Sequence, residues 1–139
     1  MNITEVSVRL VSNRNERLKA FCTMTIDGEF VVRDIKVIEG TKGLFVAMPS
    51  RKITDHCPKC GGKNPLKARY CNDCGEELTG GKFSKTAAQG DKLHADVAHP
   101  INSQCRAIIQ DTLLAAYEEE LKKSKEPGYK PPKDVSADE

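Results

Sequence analysis

Residues 18–48 read LKAFCTMTIDGEFVVRDIKVIEGTKGLFVAM, and the alternation within them decides the fold. Leu18, Ala20, Cys22, Met24 and Ile26 fall on one face of an extended segment, with Lys19, Thr23 and Thr25 opposite. A period of two is the pattern of a half-buried strand. Asp27–Gly28 then predicts a tight hairpin, because Gly readily takes the positive φ of a type I′ turn. A second strand runs from Phe30 to Ile38. Gly40 and Gly43 bracket another turn before LFVAM at 44–48, and Pro49, lacking an N–H, ends the pairing. Toward the N-terminus, Val6, Val8 and Leu10 alternate with Ser7 and Arg9, and the polar SNRNE at 12–16 makes the intervening turn. The sum is a four-stranded antiparallel meander.

On the other side of the decisive stretch the period changes. Cys105, Ile108, Ile109, Thr112, Leu113, Ala116, Tyr117 and Leu121 recur at three- and four-residue spacing, predicting one amphipathic helix over 101–123. Pro100 precedes it, and Asn102 or Ser103 can cap it. The predicted class is therefore α+β: a small antiparallel sheet of four to five strands with a C-terminal helix. The last residues, SKEPGYKPPKDVSADE (124–139), have almost nothing to bury and read as a disordered tail.

Composition narrows the function. In 139 residues, no apolar run approaches the roughly 20 that a membrane span needs. MNITEVSVRL has no signal-peptide core, so a cytoplasmic location is expected. The formal charge of +2 excludes a strongly basic nucleic-acid coat and an acidic tail protein alike. Seven Phe and Tyr and no Trp exclude a broad aromatic stacking platform. The positive excess sits in the middle: residues 51–93 hold nine Lys and Arg against five Asp and Glu. Scattered carboxylates and the lack of a Gly-rich phosphate loop point away from an enzyme.

Within that basic third lies CPKCGGKNPLKARYCNDCG (57–75), two Cys-x2-Cys turns separated by ten residues. Cys57, Cys60, Cys71 and Cys74 at this spacing suit one tetrahedral ion, with Gly61 and Gly75 turning backbone N–H groups toward the sulfurs. So short a segment cannot build a core, so binding of one structural Zn²⁺ per chain, on the order of 10 kcal/mol, has to fold it. The pattern, with Asn64, Tyr70 and Leu78, closely resembles a short zinc ribbon. Two disulfides, a thioredoxin-like pair, a rubredoxin-like iron site and a catalytic zinc are the competing readings; iron shares the ligand set, whereas a catalytic zinc keeps one position open for water and four thiolates close the shell. His56, beside Cys57, reads as a solvent-exposed loop residue more readily than as a ligand. Cys22 and Cys105 read as small buried hydrophobes.

The flanks carry a further resemblance. EFVVRDIKVIEGTKGLFVAMPSRK (29–52) and DVAHPINSQCRAIIQD (96–111) resemble the sporulation protein G family, SpoVG. The matching residues include Phe30, Val31, Val32, Asp34, Ile35, Val37, Gly43 to Ser50, Ala98 to Ser103 and Arg106. The resemblance covers 1–52 and 96–121. It divides the chain into a SpoVG-like domain (1–52 and 96–123) and an insertion at 53–95 that holds the ribbon and a Gly/Lys-rich connector (79–94). An insertion at a loop tip need not disturb its host. The resemblance implies a homodimeric, cytoplasmic bacterial regulator that binds DNA and RNA.

Arg51 and Lys52 match the family's basic pair, and cations on a strand end can meet phosphates. Arg106, in the helix's first turn, is a second candidate contact. Lys59, Lys63, Lys67 and Arg69 give the ribbon a basic surface beside Tyr70. The alternative is a protein-interaction adaptor whose ribbon docks a partner protein.

Overall fold

Alternation becomes a sheet of four strands, β1 (Ile3–Leu10), β2 (Leu18–Ile26), β3 (Phe30–Gly40) and β4 (Gly43–Ala47). Their order is β1-β2-β3-β4 and every neighbour is antiparallel. The computed structural model describes residues 1–12, 16–79, 83 and 93–132. The predicted turn at 12–16 therefore lies mostly outside the described residues, as do most of the connector and the tail beyond 132.

The β2–β3 hairpin turns as its sequence requires. Asp27 (φ 53°) and Gly28 (φ 68°) are both left-handed, the mark of a type I′ turn. The start of β1 clasps it: the Asp27 N–H donates to the Asn2 carbonyl (2.7 Å) and the Gly28 N–H to Thr4 Oγ1 (2.9 Å).

Simple alternation breaks in the middle of β3, and the register also shifts near strand ends, between Ile3 and Glu5 of β1 and between Leu18 and Ala20 of β2. Between the pairs Cys22–Ile35 and Met24–Val32, both Arg33 and Asp34 stand opposite Thr23 alone. This is a β-bulge, and Asp34 adopts φ 61° within it. The bulge keeps the register useful. Val32, Ile35 and Val37 all reach the core side, a spacing of three and then two; without the extra residue, Ile35 and Val37 would turn outward.

The helix α1 (Ser103–Ser124) covers one side of this sheet. Asn102 caps it, its Oδ1 accepting from the Cys105 N–H at 2.7 Å. Ile109, Leu113 and Tyr117 pack onto Val8, Ala20, Cys22, Met24, Ile35 and Val37. The buried line is narrower than the predicted stripe: Ile108 is 50% exposed and Leu121 36%. Three buried positions at four-residue spacing form a single row, and Ile108 sits about 100° around the helix from Ile109. Cys22 is a buried hydrophobe, its thiol pushed up to about 12 by desolvation. Cys105 is half-buried against the same core. After the helix the chain folds back, and Tyr129 donates its hydroxyl to Glu120 Oε1 at 2.7 Å.

These elements form one compact unit, Met1–Pro49 with Ala98–Glu139; Ser50–Val97 form a second. In the second, β5 (Ser50–Lys52) pairs with β8 (His94–Asp96), and β6 (Thr54–His56) with β7 (Lys63–Pro65). Its small core consists of Cys57, Leu66, Cys71, Leu78 and Phe83. Among the described residues, no helix is long and apolar enough to cross a membrane.

Candidate metal centre and basic surface

Each Cys-x2-Cys turn is built the same way. The Gly61 N–H donates to the Cys57 carbonyl (2.9 Å) and the Gly75 N–H to the Cys71 carbonyl (3.0 Å). The glycines take φ 77° and 79°, which lets the chain close so tightly. The two turns face each other, and all four sulfurs lie within 4.8 Å of one another. Cys57 Sγ is 3.7 Å from Cys74 Sγ, and Cys60 Sγ is 3.5 Å from Cys71 Sγ. A tetrahedral ion with bonds of about 2.3 Å sets sulfurs about 3.8 Å apart, so the four thiols fit a metal ion.

Around the sulfurs stand N–H donors. Lys59, Gly62 and Asp73 each donate a backbone N–H, at 3.4 Å, to Cys57, Cys60 and Cys71 respectively. Asn64, fully buried, ties the turns together. Its Nδ2 donates to the Gly62 carbonyl (3.1 Å) and to Cys71 Sγ (3.4 Å), while its Oδ1 accepts from the Asn72 N–H (2.8 Å). The thiols divide accordingly. The Cys74 backbone N–H, then Asn64 and the Asp73 N–H, bring Cys71 down to about 6. At Cys60 the Gly62 N–H lowers the value, but hydrogen bonding with Cys71 and the other thiols, together with desolvation, outweighs it and lifts the thiol to about 12.

His56 ends β6 and is exposed. Its Nδ1 lies 2.9 Å from the Gly61 carbonyl, so it braces the first turn and is not among the clustered ligand atoms. The sequence places Phe83 in the connector, yet it is buried with Leu66 and Leu78. The only hint is an aromatic side chain in a Gly/Lys-rich stretch. Asp73 carries no sequence signal of its own, yet a Cβ on Gly62 would collide with its carboxylate and approach Cys60 Sγ.

The basic candidates occupy two places. Arg51 and Lys52 are exposed on β5, opposite Ala95 and His94. Lys59, Lys63, Lys67 and Arg69 belong to the same unit; Lys59 pairs with Glu76 at 3.4 Å. Tyr70, 62% exposed, borders an open cleft with Lys67 and Arg69. Arg106 belongs to the other unit, exposed in the first turn of α1.

Fold and site together define a small α+β protein carrying a four-thiol centre able to hold a metal ion. The sequence profile described as SpoVG matches residues 1–119. The chain belongs to the SpoVG family. "Putative septation protein SpoVG" of Bdellovibrio bacteriovorus is 40% identical over 122 residues, covering 88% of this chain and 78% of that protein. "Putative septation protein SpoVG 1" of Listeria monocytogenes is 41% identical over 118 residues, 85% and 79% of the two chains. The Agathobacter rectalis protein of the first of these names is 39% identical over 121 residues, 87% and 97% of the two chains. These names describe septation proteins, not enzymes.

Proposed function

We propose that this chain is a nucleic-acid-binding regulator of the SpoVG type, cytoplasmic and homodimeric, and that a structural zinc ion holds its inserted ribbon together. The observation that carries the nucleic-acid reading is that Arg51, Lys52, Lys63, Lys67 and Arg69 are all exposed and belong to one compact unit, with Lys52 and Lys67 lining one cleft. Arg51 and Lys52 stand on a paired strand, so their backbone is held in place while their side chains reach solvent. Cations so placed contact phosphates and make affinity fall with salt.

Four thiolates close a tetrahedral shell, which supports a structural role for the ion and not a catalytic one. When bound, the ion supplies folding free energy to a unit whose own core is five residues among those described. Asn64 and the backbone donors offset the negative charge of the thiolates.

The test joins metal analysis to a binding titration. One zinc per chain in colourless protein is the expected content; a coloured protein would indicate iron. Affinity for DNA or RNA is expected to fall steeply with salt. Arg51→Ala/Lys52→Ala should weaken it and flatten the slope by about 0.9 for each phosphate that the pair neutralises on duplex DNA. Unchanged binding by the double variant removes this pair from the interface.

A further inference from the structure

Two backbone hydrogen bonds lay three separate segments side by side in the unit of Ser50–Val97. The Ile53 N–H donates to the Leu93 carbonyl (2.9 Å), and the Leu66 N–H donates to the Ile53 carbonyl (3.3 Å). They border a cleft of about 240 Å³ whose floor is Ile53, Pro65, Leu66 and Leu93, all buried or half-buried. Each segment also brings one exposed basic residue to the rim: Lys52 precedes Ile53, Lys67 follows Leu66, and His94 follows Leu93. Register sets Lys52 opposite His94, and Arg51 opposite Ala95. The period of two therefore turns Arg51 to the other face of this strand pair, and it does not line the cleft. No acid lines it either, and neither lysine has an ion-pair partner among the described residues. Of the nearby acids, Asp55 accepts the His56 N–H at 2.8 Å, and Asp96 stands opposite Ser50 at the other end of the strand pair.

We propose that this cleft receives one unpaired base of a nucleic-acid strand, with Lys52 and Lys67 meeting the flanking phosphates. The lining selects the occupant. An aliphatic floor favours an apolar body, and unpartnered cations at its rim favour anions. A nucleotide within a strand joins both, a flat base between two phosphates. Apolar side chains pack against the face of an extruded base. In a duplex that face is covered by its neighbours, so the cleft selects single strands. Its volume lies below the roughly 300–1,000 Å³ of drug-sized clefts, which leaves room for one ring system and not for a run of them. A glutamate-rich peptide would satisfy the lysines but bring little to the floor.

The inference rests on the nucleic-acid reading proposed for Arg51 and Lys52, and the experiment separates the two. The full, zinc-loaded chain is titrated by fluorescence anisotropy, at several salt concentrations, against two labelled strands of about 16 nucleotides. One is oligothymidylate; the other has the same backbone but no bases. Both carry the same phosphates, so only contact with a base tells them apart. Oligothymidylate should bind roughly 5- to 100-fold more tightly. Leu93→Ala removes part of the floor and should narrow that difference. Lys67→Ala should weaken binding of both strands and reduce the salt slope by about 0.7. Zinc content and melting curves verify that the variants fold, and the comparison of strands by the native chain needs no variant. Equal affinity of the native chain for both strands overturns this inference and leaves the phosphate contacts of Arg51 and Lys52 standing. A difference that survives Leu93→Ala but is lost in Tyr70→Leu puts the base on the exposed tyrosine and also overturns it. A chain that binds neither strand at low salt removes both readings. Lys67-dependent binding of a glutamate-rich peptide by such a chain would give the cleft to an acidic protein segment.

Discussion

Asn64 is the residue on which the metal centre turns. It is the one buried polar side chain among the described residues, and its hydrogen bonds join the two cysteine turns. Outer donors of this kind orient ligands and stabilise thiolates, and removing one weakens metal binding by about 10- to 100-fold. Asn64→Ala should show that drop in a chelator competition, while Asn64→Asp, which cannot donate to sulfur, should not restore it. Cys22 behaves oppositely, as a thiol kept neutral by burial. Its folded value of about 12 lies above the ordinary 9.0. Its contribution to stability is therefore whole below pH 9 and declines as pH rises from 9 toward 12. Cys22→Ala should flatten that alkaline fall in stability, measured by denaturant titration across the same window.

At the scale of elements, α1 and the β3 bulge set how the sheet is covered. The helix buries a single row, and Leu113 in its middle is fully enclosed. Leu113→Ala should cost about 2–5 kcal/mol, read as a lower denaturation midpoint. Ile108→Ala, one residue beyond the row's edge, should cost far less. The bulge is not legible in the sequence, although Val32, Ile35 and Val37 carry its trace in their uneven spacing. Two apolar neighbours, Val31 and Val32, hide that trace, because either can be taken as the inward residue. The hairpin at Asp27–Gly28 is legible because its chemistry is local: two adjacent residues supply both positive φ angles.

Across the whole molecule, the two compact units are stabilised by different means. Among the described residues, the sheet and helix share an apolar core of nine buried residues, whereas the unit of Ser50–Val97 has five, two of them cysteines. Removing the metal with a strong chelator should therefore unfold one unit and spare the other. Hydrogen exchange is expected to accelerate at the amides of 57–75 while those of β2 and β3 stay protected. A simultaneous drop of protection in both units would contradict independent stabilisation.

The sequence alone determined the antiparallel meander, the helix and the four clustered thiols. Each follows from periodicity or spacing between residues close in the chain, and such short-range patterns survive without knowledge of the fold. Tertiary structure alone decided that Asn64 bridges the cysteine turns, that Phe83 leaves its polar surroundings for the second core, and that Lys52, Lys67 and His94 come to the rim of one aliphatic cleft. Those outcomes depend on which distant segments meet, and register, bulge and burial settle that only when the chain has folded.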